Sequence, residues 1–106
     1  MQSIVVLVTC GSSKEARRLA GALVRKRLAA CVNVMTIPAK SVYRWKGEVE
    51  TASEVLMLIK TTRRKFAALE KEIRRLHTYQ TPEVIALPIA AGSKAYLEWL
   101  RDSVKA

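Results

Sequence analysis

The chain has 106 residues, half of them apolar and 26% charged, which is the size and make-up of a single globular domain (1–106) with no room for a second. Its longest apolar runs, such as Ile4–Val8 and Val55–Ile59, fall far short of the ~20 residues that a membrane-crossing helix needs, so no membrane span is expected. Two cysteines are too few for a disulfide scaffold, and nineteen Lys and Arg against nine Asp and Glu give a net charge of +10, a field that draws anions toward the surface.

The N-terminus lacks the basic stretch and small-residue cleavage site of a secretory signal, which makes the cytosol the expected compartment. From Ser3 to Thr9 the residues are mostly β-branched and apolar at odd and even positions alike, as in an interior strand buried on both faces. Cys10-Gly11-Ser12-Ser13 breaks that run, and Ser12 or Ser13 can cap a helix over about 13–29. Its apolar stripe is Ala16, Leu19, Ala20, Leu23, Val24 and Leu28. Cys31 to Tyr43 reads as extended, with Pro38 marking a bend or bulge, and Arg44-Trp45-Lys46-Gly47 as the turn of a long hairpin. The return strand alternates at Glu48–Thr51 and becomes wholly apolar at Val55–Ile59, so the hairpin is solvated at its tip and buried at its base.

Thr61 or Thr62 then caps a second amphipathic helix carrying Phe66, Leu69, Ile73 and Leu76 and ending near His77. Pro82 to Ile89 forms a fourth strand, and a short helix from about Lys94 to Ser103 must dock the aromatic side that holds Tyr96 and Trp99. The order predicts an α+β fold, a ferredoxin-like βαββαβ sandwich with an extra C-terminal helix, in which right-handed crossovers place both long helices on the same sheet face. The other face is then bare. About half a dozen Val, Leu or Ile side chains facing water would each forgo ~1.5–3 kcal/mol of burial, so this face is expected to meet further copies of the chain.

Five segments together resemble the CutA-type divalent-cation-tolerance family: Arg27–Asn33, Ser41–Gly47, Glu54–Thr61, His77-Thr78-Tyr79-Gln80-Thr81-Pro82-Glu83, and Tyr96-Leu97-Glu98-Trp99. The resemblance covers essentially the whole chain. It implies a tight homotrimer with hairpins reaching onto neighbours and clefts between subunits, and an association with tolerance to copper and other divalent ions. Family copper ligands draw on a thiol near the end of the first strand and on adjacent histidines before a Tyr-containing turn. This chain departs from that pattern: Leu76 precedes His77, Cys10 follows Thr9, and Thr78 stands where the family has proline.

His77, the only histidine, is a metal-ligand candidate or a hydrogen-bonded helix end. Cys10, just before a helix N-terminus, is a reactive-thiol or metal candidate or a plain strand-end residue. Glu83 is a cleft carboxylate or metal ligand, and Lys60 holds an anion or pairs with a glutamate. Ion pairing at a subunit joint accounts equally for Glu54, Lys60, Tyr79 and Glu83. Cys31 reads as a small buried hydrophobe at or near a subunit contact, and Trp45 and Tyr43 as packing on a neighbour.

The many Lys and Arg of the two long helices read as a solvated polar face, because they lie opposite the apolar stripes and no stacking platform alternates with them, and salt-sensitive nucleic-acid binding is the less favoured alternative. No Ser-His-Asp order, glycine-rich phosphate loop or paired-histidine motif occurs, so no catalytic residue is assigned and no enzyme is expected. The sequence thus points to a trimeric binding protein with copper or another divalent ion in an intersubunit cleft near His77. The alternatives are a sensor of small anions or nucleotides and an anchor for other proteins.

Overall fold

The computed structural model describes residues 2–105. It shows β1 (Ser3–Cys10), α1 (Ser13–Arg25), β2 (Cys31–Trp45), β3 (Glu48–Thr62), α2 (Phe66–Leu76), β4 (Val84–Pro88) and α3 (Lys94–Ser103). The four strands form one sheet in the order β2-β3-β1-β4 with every neighbouring pair antiparallel, which is the arrangement the element order predicts. No helix among the described residues is long and apolar enough to cross a membrane.

Side-chain alternation along β1 divides the apolar residues between two faces. Ile4, Val6, Val8 and Cys10 are buried with Val55, Met57 and Ile59 of β3 beneath Ala16, Leu19 and Leu23 of α1 and Leu69 and Ile73 of α2. Residues directly opposite in an antiparallel ladder share a face, so the register defines the other side. Leu7 stands between Leu58 and Ile85, Val5 between Lys60 and Leu87, and Leu56 beside Met35. Met35, Ile85 and Leu87 are each about half exposed, so this sheet face is largely open in the single chain. Burial of their remaining surface would add about 1 kcal/mol each.

Several boundaries differ from those the sequence predicts, each for a local reason. Helix α1 stops at Arg25, four residues early, because Arg27 takes a left-handed backbone (φ 57) and the Leu28 and Ala29 amides both turn back to the Leu23 carbonyl. That reversal delivers the Ala30 amide to the Lys60 carbonyl and starts β2. The hairpin turn is shorter than expected: β2 runs through Trp45, and Lys46-Gly47 make a two-residue connection with positive φ at both positions, the type I′ geometry whose twist matches the strands. At Pro38 the register shifts between Met35 and Ala39, the bulge expected there.

Neither Thr61 nor Thr62 caps α2 with its side chain. Thr61 Oγ1 donates to the Leu28 carbonyl instead, and the helix is led in by a 3-10 turn over Arg63–Lys65. Strand β4 is confined to Val84–Pro88 on the sheet edge, where a proline costs no ladder bond. Helix α3 buries Leu100, with Val104 after it, against Ala30 and Ile89, whereas Tyr96 and Trp99 meet at a tilt and stay half exposed.

Candidate functional site

The segment after α2 departs from the helix at His77, whose backbone is extended, and wraps the end of the sheet where β1 finishes. His77 is buried there. Its Nε2 lies 2.8 Å from the Thr9 carbonyl, which only accepts, and its Nδ1 lies 3.0 Å from the Tyr79 amide, which only donates. Nε2 is thus placed to donate to Thr9 and Nδ1 to accept from Tyr79, with a Glu15 carboxylate oxygen 3.5 Å from the same Nδ1. Cys10 Sγ sits 3.7 Å from Nε2 and directs its S–H to Met57 Sδ at 3.5 Å. Burial first, then the charges of Glu15 and Glu54, push this thiol up to about 12, so it stays protonated.

Glu15 fastens the same segment from the other side. Its carboxylate is almost buried and accepts from the Thr78 amide at 2.9 Å, the Thr78 hydroxyl at 3.0 Å and the Gly11 amide at 3.4 Å. Burial alone would raise its pKa, but the Thr78 bonds, the nearby imidazole and the Gly11 amide outweigh it and hold the carboxyl below the usual range. Sequence reasoning passed over Glu15. The available signal was Ser12-x-x-Glu15, a capping-box spacing. Ser12 Oγ does accept from the Glu15 amide, but the glutamate reaches across the fold to Thr78.

The segment so held forms one wall of a groove of about 790 Å³, with the hairpin as the other wall. Thr9, Ser41, Tyr43, Trp45, Glu54, Tyr79, Gln80, Thr81 and Glu83 are among its lining residues. The Tyr79 hydroxyl donates to Glu54 at 2.9 Å, satisfying a carboxylate that is 8% exposed, and burial together with that carboxylate drives the phenol pKa upward. Glu83 is exposed on the same groove.

The structure thus brings Glu54, Tyr79, Glu83 and Trp45 around one groove and places Cys10 and His77 together behind its wall. Cys31 and Lys60 stand apart: they face each other in the β2–β3 register on the open sheet side, where Lys60 bonds to Asn33 and Cys31, expected to be buried, is only partly so because the two long helices cover the other face. Among the described residues, no three His, Cys, Asp or Glu side chains converge at metal-ligand spacing. Gln80 and Thr81 also line the groove, and their only sequence signal was a place in the motif from His77 to Glu83.

Fold and site define a class: an antiparallel α+β sandwich with one sheet face left open and a polar groove between a long hairpin and the segment after the second helix. Residues 4–103 match the family described as CutA1 divalent ion tolerance protein. The chain is 50% identical over 100 residues to the divalent-cation tolerance protein CutA of Thermus thermophilus, across 93% of this chain and 95% of that one. The solved structure of the divalent cation tolerance protein from the same organism superposes with a TM-score of 0.94 at 48% identity, covering 97% of this chain and 99% of the other. The chloroplastic protein CutA 1 of rice is 46% identical over 104 residues, which is 97% of this chain but 58% of the rice protein, so the chain spans little more than half of that relative. The chain belongs to the CutA1 divalent ion tolerance family, as its motifs predict. The Thermus thermophilus relatives are named for tolerance to divalent cations.

Proposed function

We propose that the chain works as a closed homotrimer whose copies cover the open sheet faces and convert the groove beside Glu54 and Glu83 into a cleft that takes a divalent cation. One observation carries the ligand class. In a chain of net charge +10, the groove is lined by two carboxylates and by no lysine or arginine. Such a lining favours a cation over a phosphate or nucleotide, and it separates this reading from that of an anion sensor.

The Cys10–His77 pair would have to rearrange to hold a metal, because Nδ1 accepts from the Tyr79 amide, Nε2 faces the Thr9 carbonyl and the Cys10 thiol points at Met57. Glu83, exposed on the groove, meets an incoming ion first. Glu54 lies behind it with one oxygen tied to Tyr79, and a second copy and water complete the shell. Oxygen donors of this kind suit hard or borderline divalent ions.

Calorimetric titration with Mn²⁺, Zn²⁺ and Cu²⁺ tests the assignment. Glu83→Gln is expected to weaken binding by about tenfold or more, a lost charge-assisted contact of about 1.4 kcal/mol. Unchanged affinity in Glu83→Gln, or loss confined to Cys10→Ser, overturns it.

A further inference from the structure

We propose that the face built by α1 and α2 is a docking surface for duplex nucleic acid, gripped through the phosphate backbones. The surface lies on the side of the sheet away from the open face, and the proposal is independent of the cation reading. Residues 13–27 and 63–76 hold twelve cationic against three acidic residues, nine of the chain's ten net charges, whereas the rest of the chain carries seven against six. Seven of the twelve cations lie on α1 and α2 and five on the turns that flank them, and eleven are exposed, Arg27 being turned to the Ser103 carbonyl at the end of α3.

The three acids offset only part of this layer. Glu15 is turned inward onto Thr78, Glu70 lies 3.5 Å from Arg74, and Glu72 is shared between Lys26 at 2.6 Å and Arg75 at 2.8 Å. The Lys26–Glu72 bridge crosses from α1 to α2, and Arg18 donates to the Leu76 carbonyl at 3.2 Å, so the two helices present one continuous surface. Eight of the twelve cations are arginines, whose planar forks match phosphate oxygens in pairs.

What the face lacks decides between polyanions. Val24 is its one large apolar side chain that is exposed among the described residues, so it has no aromatic or leucine anchor for a lipid interface. The exposed aromatic residues Tyr43, Trp45, Tyr96 and Trp99 belong to the hairpin and α3, so unpaired bases find no stacking platform here. A duplex needs neither feature. The 13 residues of α1 extend about 20 Å, a length over which B-form DNA carries about twelve phosphate charges. Stacking governs the binding of single strands, and its absence, which the sequence reading weighs against nucleic acid, leaves a duplex unaffected.

Fluorescence anisotropy with a labelled DNA duplex of about 20 base pairs tests the proposal on the whole chain. Six phosphate contacts predict binding that weakens about 10³-fold between about 50 and 200 mM salt. The combined variant Lys14→Gln, Arg17→Gln, Arg64→Gln, Lys71→Gln alters cations that stand apart from the pairs named above. It is expected to lower affinity at least about tenfold at low salt and to flatten the slope by about three contacts. Lys94→Gln with Lys105→Gln, outside the face, is expected to leave binding as it was, and circular dichroism verifies that each variant is folded. Absence of binding at about 50 mM salt, wild-type affinity in the fourfold variant, or binding to phosphatidylserine vesicles where the duplex fails, overturns the proposal.

Discussion

Glu15 is the side chain whose removal most directly tests how the groove wall is held. Its carboxylate accepts from the Thr78 amide and hydroxyl and from the Gly11 amide, which joins the start of α1 to the segment after α2 across 63 residues of sequence. Hydrogen bonds to a charged group contribute about 1.5–3 kcal/mol each, and the 3.4 Å contact to Gly11 counts at the weak end. Thr78 is exposed, so water recovers part of the loss there. Glu15→Ala is therefore expected to cost about 3 kcal/mol. Glu15→Gln keeps one oxygen for Thr78 and is expected to cost about 1–2 kcal/mol.

The two variants also differ from the parent in pH dependence. Because the folded pKa of Glu15 is lowered, its contribution is fully present above the ordinary glutamate value of about 4.3 and is lost as the pH falls through the lower folded value. The stability gap between the parent and Glu15→Gln should thus close below about pH 4. Urea unfolding followed by circular dichroism at a series of pH values measures this. Equal stability of Glu15→Ala and the parent at neutral pH, or a parent–Gln gap that widens with acid, would falsify the latch.

Tyr79→Phe leaves the nearly buried Glu54 carboxylate without the phenol and is expected to cost about 1.5–3 kcal/mol, read by thermal or chemical unfolding. Tyr79→Phe combined with Glu54→Gln should recover part of that loss, and a full additive cost in the double variant would count against the pairing. The Cys10 thiol, fully buried with its pKa near 12, should resist iodoacetamide at pH 8 until the chain unfolds. Peptide mapping that finds Cys10 alkylated as fast as in urea would contradict the buried cluster with Met57 and His77.

Much of the fold was legible because apolar spacing is a local property. The runs Ile4–Val8 and Val55–Ile59 and the stripe Ala16, Leu19, Leu23 state their own burial, and the bare sheet face follows from having two helices for two apolar faces. The end of α1 was not legible, since an arginine at φ 57 gives no compositional warning of the kind a glycine would. The site was harder. Sequence pattern offers His77 as a ligand or a helix end, and only its Tyr79 partner is local, whereas the Thr9 carbonyl and the neighbouring Cys10 thiol lie 68 and 67 residues away. Cys31 and Lys60 lay in the same motifs as the groove residues, yet strand register places them together on the open sheet side. Only the tertiary path of the chain separates those two groups.

The open face of Val5, Leu7, Leu58, Ile85 and Leu87 bears most on how the protein works, and sedimentation equilibrium at micromolar concentration interrogates it directly. A mass near three times 11.8 kDa, lost on Leu87→Glu with the secondary structure retained, is the expected result. A folded, soluble species of 11.8 kDa under the same conditions would contradict the proposed assembly and, with it, the shared cleft.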